Sequence, residues 1–238
     1  MACRNNQRLM LAAFHMYAEE NNSYFPGNES DQLASNWITY MEVSEPRPMT
    51  NALHPTNFPL APYVPATLNI LKCPGDVSSA RTGRREVPRI RSISMNHAIG
   101  TRPSSGPQKA PVNGIWLTGD ATHTANSRFF CYAKISDLVD PAPSRLWVFI
   151  EEHPDSINDG AFGNVGPIPA SQYRMIDFPA AWHNGASILG FADSHVEERK
   201  WVDPRTVVPS PFSPYISYHP NNSDITWLAN RTTAAVPR

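Results

Sequence analysis

The sequence lacks most of the features that assign a chain to a class at first reading. Only three cysteines occur in 238 residues, which is too few for a disulfide-dense scaffold. A Gly-rich phosphate loop, a nucleophile elbow and a Cys-x-x-Cys pair are all absent. The 20 Lys and Arg balance 21 Asp and Glu, so no global field recruits nucleic acid, and we expect no nucleic-acid partner.

Long apolar runs are also missing. None approaches the ~20 residues needed to span a bilayer. No basic-plus-apolar export signal stands at the start of the sequence. Residues 1–238 therefore predict no membrane-spanning segment.

Proline, by contrast, is abundant. The 24 prolines exclude long uninterrupted helices over most of the chain and favour long Pro-rich loops between short strands. The length suffices for one substantial core, so we predict a single domain over residues 1–238. It comprises a helix over 4–21, a β-rich body over 60–202 and an irregular tail over 203–238.

One amphipathic helix is predicted near the N-terminus. Its apolar residues recur at i, i+1, i+4, i+5 and i+8 and form one stripe, namely Leu9, Met10, Ala13, Phe14 and Tyr17. Asparagines and a Pro-Gly pair within residues 21–27 end this helix. A second, short helix is predicted over 33–41.

The rest of the chain is predicted to form short strands. β-Branched and aromatic residues concentrate in runs of strand length over 91–99, 129–132, 146–151, 188–192 and 196–201. The last two are expected to pair as a hairpin, and the basic stretch over 77–89 is expected to be a loop without strands. This order favours an α+β fold, with the N-terminal helix packed on an antiparallel sheet.

Ligand-type side chains flank the strand predicted over 188–192. His183 precedes this strand, and Asp193 and His195 follow it, two residues apart and therefore on one face. Imidazole and carboxylate groups gathered in this way can bind a metal or transfer protons. Alternatively, they only form hydrogen bonds that hold a turn.

A glutamate completes this candidate metal site. Glu152, or its neighbour Glu151, ends the 146–151 strand, and with His183, Asp193 and His195 it makes a set of two histidines and two carboxylates. Such a set suits zinc, manganese or iron better than calcium. A water on the metal would then support hydrolysis or proton abstraction.

The loop that follows the same strand is a candidate calcium site. Asp155, Asn158 and Asp159 can supply oxygen ligands together with a backbone carbonyl, and calcium takes about six to eight oxygens in flexible geometry. Their spacing differs from that of an EF-hand loop, so no EF-hand is implied.

Two tryptophans lie beside the histidine motif. Trp182 directly precedes His183, and Trp201 follows the second strand of the predicted hairpin. They are candidates to line a groove that binds a glycan. The alternative is that they pack in the core, as aromatic residues more often do.

Several segments together carry a family resemblance. His183 and Asp193 have nine residues between them, and further matching segments lie at 3–6, 16–26, 72–76, 92–96, 155–160 and 221–228. The chain resembles the prepilin-type processing-associated H-X9-DG proteins, a pseudopilin-like family, over nearly its whole length. It departs from their pattern at Ser194, where the signature has glycine, and in lacking their leader and long apolar N-terminal helix.

The resemblance implies a pilin-like fold and an extracytoplasmic location, at the cell surface or in the periplasm. It also implies a membrane anchor through an N-terminal helix that is not part of this sequence. The expected partners are other pilin-like subunits or secretion cargo. Cys3 and Cys73 can form a disulfide if the N-terminal helix packs near residue 73, since exported proteins permit such bonds.

Two functions from different classes follow. The leading hypothesis is non-catalytic: the soluble ectodomain of a pseudopilin-like component of an envelope filament or type II secretion-like apparatus. One form of this hypothesis adds a bound metal ion that stabilises the domain. The alternative is an extracytoplasmic metal-dependent hydrolase or lyase that acts on polysaccharide. A carbohydrate-binding module without catalysis is a third, weaker hypothesis.

Overall fold

The structure is a computed structural model that describes residues 2–29, 36–39, 54–82, 84–120, 124–211 and 216–237. Within these residues the chain has two α-helices, Ala2–Glu20 (α1) and Ser223–Thr232 (α2). Neither of these two is both long enough and apolar enough to cross a bilayer. The helix predicted over 33–41 falls mostly outside the described residues.

Short strands make up the β-structure. In chain order they are Ser79–Thr82 (β1), Arg85–Pro88 (β2), Ile93–Asn96 (β3), Thr101–Arg102 (β4), Ala110–Pro111 (β5), Trp147–Glu151 (β6), Ala161–Phe162 (β7), Arg174–Met175 (β8), Ala186–Phe191 (β9), Val196–Lys200 (β10) and Ser217–Tyr218 (β11). Five of them form the central sheet in the spatial order β10-β9-β6-β3-β7, and the other six pair two by two.

The central sheet is mixed, so the prediction of an antiparallel sheet was wrong in one pair. β10, β9, β6 and β3 are antiparallel to their neighbours, but β7 runs parallel to β3. A short connection after β6 makes β7 run opposite to β6. Because β3 also runs opposite to β6, β7 and β3 point the same way. The predicted α+β class with an N-terminal helix on the sheet is confirmed.

α1 covers one face of the sheet. Its buried side chains include Leu11 and Phe14, and the Phe14 ring meets that of Phe149 on β6 edge to face, with centroids 5.9 Å apart. A Cβ added to Gly190 on β9 would lie 2.8 Å from Cδ1 of Leu11, so glycine there lets the helix approach the strand. Burying each large apolar side chain contributes roughly 1.5–3 kcal/mol, which makes this contact the main support of α1.

α2 contributes to the core on the opposite face. Leu189 and Phe191, which alternate with Gly190 along β9, pack in a cluster that includes Trp147 and Leu228 of α2. Asn222 caps this helix, since its Oδ1 accepts the N–H groups of residues 224 and 225. The tail over 203–238 is therefore not irregular throughout, because Ser223–Thr232 is helical.

Two local predictions also differ from the structure. The stretch over 77–89 contains the β1–β2 hairpin instead of a strandless loop. Residues 129–132 contribute only isolated bridges, from Phe129 to Ala235 and from Tyr132 to Ile99. The second difference arises because strand pairing depends on a partner brought in from elsewhere in the chain, which local propensity does not reveal.

Candidate functional site

The four residues predicted to share a metal occupy three separate places. His183 lies just before β9 and Asp193 just after it, so the 6-residue strand holds them about 20 Å apart at ~3.3 Å per residue. His195 stays beside Asp193, whereas Glu152 is buried on the other face of β6. Asp193 and His195 stay at the tip of the β9–β10 hairpin, at the opposite end of β9 from His183, so the predicted site is not assembled.

Asp193 and His195 hold the turn at the tip of this hairpin. The two side chains contact each other, Nε2 of His195 lies 3.2 Å from Glu197, and the imidazole stacks on Phe191 with centroids 4.4 Å apart. Partial burial lowers the pKa of His195, but the contacts with the two carboxylates outweigh it and raise this pKa above its ordinary value. Ser194, at the glycine position of the family signature, has a φ of 74°, so the turn adopts the left-handed backbone that glycine prefers.

Glu151 and Glu152 point to opposite faces of the sheet. On the α1 side, Glu151 accepts the N–H of Ile188 at 2.8 Å, and its carboxylate lies 3.0 Å from Nε2 of His183. On the other side, Glu152 accepts a hydrogen bond from the hydroxyl of Ser94. The carboxylate partner of His183 is therefore Glu151. The sequence analysis left Glu152 and Glu151 as alternatives, and the structure selects Glu151, since neighbouring residues of a strand lie on opposite faces.

Four ligand-type side chains meet beside the start of β9. Cys3, Cys73, Glu151 and His183 each offer one ligand atom within 4.8 Å of the others, and the described part of the chain contains no other such group. Cys3 and Cys73 form a disulfide with their Cα atoms 5.1 Å apart, which is the pairing that the sequence left open. Nε2 of His183 lies 3.4 Å from Sγ of Cys73. The hydrogen bond to Glu151 raises the pKa of His183 above its ordinary value.

Glu152 belongs to a buried polar cluster. The guanidinium of Arg91, 2 % exposed, donates to the hydroxyl of Ser94 and to the backbone carbonyl of Asp159. Burial raises the pKa of Glu152 to about 8, although Arg91 and the bond from Ser94 act in the opposite direction. A buried guanidinium already serves as the cation here, so the surroundings of Glu152 do not suit a metal ion.

The loop predicted to bind calcium lines a cavity of about 320 Å³. Asp155, Asn158 and Asp159 border it, together with Asp177 and Glu29 from other segments, and no lysine or arginine is among its described lining residues. The carboxylates have local partners: Asp159 accepts the N–H of residue 161 at 2.8 Å, and Asp155 accepts the hydroxyl of residue 210 at 2.7 Å. Within the described residues they do not converge into a metal-binding group.

Two further groups set the electrostatics of this cavity. Burial raises the pKa of Asp177 well above its ordinary value, and neighbouring carboxylates add to the effect. Burial also lowers the pKa of His97 to about 4, so this imidazole is neutral at pH 7. Nδ1 of His97 accepts the N–H of Asn164 at 3.4 Å, which leaves the proton on Nε2. With half-buried Trp116 also in the lining, the cavity combines hydrogen-bond acceptors, a neutral donor and an aromatic ring.

Neither predicted groove tryptophan lines this cavity. Trp201 is 4 % exposed and its indole N–H donates to the Ala180 carbonyl and to the hydroxyl of Ser187, both at 2.9 Å. Trp182 is half-buried and packs beside the disulfide cluster. The core interpretation is therefore correct for Trp201, and its proposed role in lining a groove was wrong.

Sequence reasoning missed most of the groups that the fold brings together here. His97, Trp116 and Asp177 come from three distant segments, so no local spacing links them. His97 follows β3 and Asp177 follows β8. The position of polar residues just after strands was the one sequence signal that could have indicated this cavity.

Comparison with protein-family models, with curated proteins and with solved structures found no match to this chain.

Proposed function

We propose that this chain is the globular, non-catalytic domain of a pseudopilin-like envelope protein. The observation that carries the proposal is the position of α1, which lies across one face of the central sheet as a pilin-like fold requires. The disulfide between Cys3 and Cys73 fastens the first turn of that helix to the body of the domain. A helix held in this way can transmit force from a membrane anchor to the domain.

The outward face of α1 is the surface we assign to contacts with other pilin-like subunits. Arg8, Ala12, Met16 and Glu19 recur at helical spacing and are all exposed. Met16 is 46 % exposed, and with Ala12 it forms the apolar centre of this face. Its charged flanks can select partners, while the central apolar positions allow close helix–helix approach.

The location outside the cytoplasm is part of the same proposal. Disulfides form and persist in oxidising compartments and are rare in the cytosol. The Cys3–Cys73 pair supports that placement, and secretion cargo or neighbouring subunits would then be the partners.

Photochemical crosslinking in the producing cells tests this function. A photoreactive phenylalanine analogue replaces Met16, and irradiated cells are analysed by mass spectrometry for adducts to pilin-like chains or to a second copy. The matched control carries the same analogue in place of Val202, which is 64 % exposed and lies outside α1. We expect pilin-like adducts from position 16 only. Their absence at position 16, or equal yields at both positions, would contradict the proposal.

The metal-dependent enzyme is the less favoured function. It depended on Glu152, His183, Asp193 and His195 sharing one ion, and the structure separates them. Trp201, one of its two substrate-binding tryptophans, is in the core. The polysaccharide part of that hypothesis keeps one supporting feature, the acidic cavity.

A second function, glycan binding without catalysis, is favoured by this cavity. Its volume of about 320 Å³ is at the small end of the ligand-site range, roughly 300–1,000 Å³, and suits one sugar ring. Carboxyl groups such as that of Asp177 offer hydrogen-bond partners to sugar hydroxyls, and Trp116 offers an apolar ring face. Metal binding is less favoured because the carboxylates do not converge.

Calorimetric titration with neutral monosaccharides and their oligomers tests glycan binding. We expect Asp177→Asn to weaken binding about two- to tenfold, as the loss of one neutral hydrogen bond, worth roughly 0.5–1.5 kcal/mol, implies. Asp193→Asn, an exposed carboxylate outside the cavity, should leave it unchanged. Calcium is titrated separately, and uptake lost in Asp159→Asn would show that the loop binds a cation instead. Saccharide binding that is undiminished in Asp177→Asn would rule out this site.

A further inference from the structure

The disulfide cluster at the start of β9 has the composition of a zinc site. Two cysteine sulfurs, one imidazole nitrogen and one carboxylate oxygen lie within 4.8 Å of one another. In a tetrahedral zinc site the ligand bonds are about 2.0–2.3 Å long, so ligand atoms are separated by roughly 3.3–3.8 Å. Nε2 of His183 is already 3.4 Å from Sγ of Cys73 and 3.0 Å from the Glu151 carboxylate. Small side-chain shifts would therefore complete the geometry once the two sulfurs separate.

The surroundings of the cluster also suit a metal. Cys3, Cys73 and Glu151 are buried, and only His183 reaches solvent, with a side chain 24 % exposed. The backbone N–H of Gly75 points at Sγ of Cys73 at 3.4 Å, an arrangement that stabilises a thiolate. The N–H of Ile188 holds the Glu151 carboxylate in place at 2.8 Å. Such second-layer contacts orient ligands before the ion arrives.

We propose that Cys3, Cys73, Glu151 and His183 bind one Zn²⁺ when the Cys3–Cys73 disulfide is reduced, so that the metal replaces the disulfide in holding α1 to the sheet. Three of the four ligands come from outside α1: Cys73 from the loop before β1, Glu151 from β6, and His183 from the turn before β9. Cys3 alone comes from α1. In either state one covalent or coordinate link therefore joins the first turn of the helix to the body. This inference does not depend on the proposed function.

The two states interconvert by a balanced reaction. A dithiol reductant supplies two electrons and two protons, the Cys3–Cys73 S–S bond breaks to give two thiols, and the reductant becomes a cyclic disulfide. Zn²⁺ then displaces one proton from each thiol, forming two Zn–S bonds and releasing two protons. Neutral His183 contributes the Nε2 lone pair, and Glu151 contributes a carboxylate oxygen. In the reverse direction a disulfide oxidant takes two electrons from the two zinc-bound thiolates and two protons from water, becomes a dithiol, and reforms the Cys3–Cys73 bond with release of Zn²⁺.

The experiment compares the oxidised and reduced chain in a Cys131→Ser background, which removes the third thiol. Both forms are prepared without oxygen and titrated with Zn²⁺, then with Co²⁺, whose thiolate charge-transfer absorption reports on sulfur ligands. We expect one Zn²⁺ per reduced chain and none per oxidised chain. We also expect Zn²⁺ to restore thermal stability that reduction removes. Equal binding by both forms, or none by the reduced form, would overturn the proposal.

Ligand variants make the test specific. His183→Ala and Glu151→Gln should each weaken metal binding to the reduced chain at least about tenfold, since even second-layer changes cost this much. His195→Ala is the matched control, because this imidazole lies at the other end of β9. The circular dichroism of each variant in the oxidised form shows whether it folds. Affinity unchanged in folded His183→Ala would mean that the two thiols bind the ion alone, and the proposed site would be wrong.

Discussion

At the scale of single residues, Ser194 occupies a backbone conformation that suits glycine better. Its φ is 74°, and its N–H still closes the hairpin turn on the carbonyl of Phe191 at 2.9 Å. A non-glycine residue in the left-handed region costs roughly 1–2 kcal/mol. Glycine removes that strain but adds conformational freedom to the unfolded chain, and this entropy cancels about 0.5–1 kcal/mol of the gain.

Ser194→Gly should therefore stabilise the domain by about 0.5–1 kcal/mol, measured as the free energy of unfolding in urea. Ser127→Gly is the control, since residue 127 is exposed and is not among the residues with a positive φ. That change should be neutral or slightly destabilising. Loss of stability in Ser194→Gly would mean that the serine side chain itself supports the turn.

Glu152 predicts a pH dependence of stability. Its pKa is about 8 in the folded chain against an ordinary value of 4.5, mainly because it is buried. Between these values the folded state binds more protons than the unfolded state, so the contribution of Glu152 is complete below pH 4.5. It falls as the pH rises through 8, by up to about 1.4 kcal/mol per pH unit.

Glu152→Gln removes this titration and keeps a partner for the hydroxyl of Ser94. Relative to the parent chain, the variant should gain about 1–3 kcal/mol of unfolding free energy between pH 5 and pH 8. Urea unfolding at both pH values measures the gain, with exposed Glu198→Gln as the control. A difference between variant and parent that is the same at both pH values would contradict the raised pKa of Glu152.

At the scale of elements, the contact between α1 and β9 depends on the missing side chain of Gly190. A methyl group there would stand 2.8 Å from Leu11 Cδ1 and 3.1 Å from Gln7 Oε1, so the Leu11 side chain or the helix itself would have to shift. Overpacking of this kind typically costs about 1–3 kcal/mol, and Gly190→Ala should destabilise the domain by about that amount.

Thermal unfolding followed by circular dichroism measures this effect. Gly106→Ala is the matched control because nothing lies within 4 Å of a methyl group at that position. It should change stability little. Equal effects of the two substitutions would contradict close packing of α1 on the sheet.

Strand alternation also explains which part of the site was predictable. The sequence analysis recognised a strand that ends in two glutamates, and β6 confirms the strand. A register shift between Trp147 and Phe149 changes the alternation within β6. Which glutamate meets His183 therefore depended on a bulge, and a bulge leaves no reliable mark on the sequence.

At the scale of the whole molecule, both ends of the chain contribute to one core. Phe14 of α1 and Ile225 of α2 belong to the same buried cluster, together with residues of the central sheet such as Met95 and Phe149. Separate unfolding of either end would expose part of that cluster. We therefore predict a single cooperative unfolding transition.

Tryptophan fluorescence and far-ultraviolet circular dichroism, recorded on the same urea series, check this prediction. The two transitions should coincide, since Trp37, Trp147 and Trp201 lie in the core and the helices report on both ends. Two separated midpoints would indicate more than one folding unit and would contradict the single domain predicted over 1–238.

Local sequence patterns determined several elements of this protein. The stripe of apolar residues in α1, the β-branched runs of β6 and β9, and the turn between β9 and β10 are all local patterns that the backbone must obey. Only the tertiary structure decided which side chains meet, because contacts such as that of Glu151 with His183 join segments far apart in sequence. Their meeting depends on sheet order, on one bulge and on the approach of a helix over glycine, and these arise from packing of the whole chain.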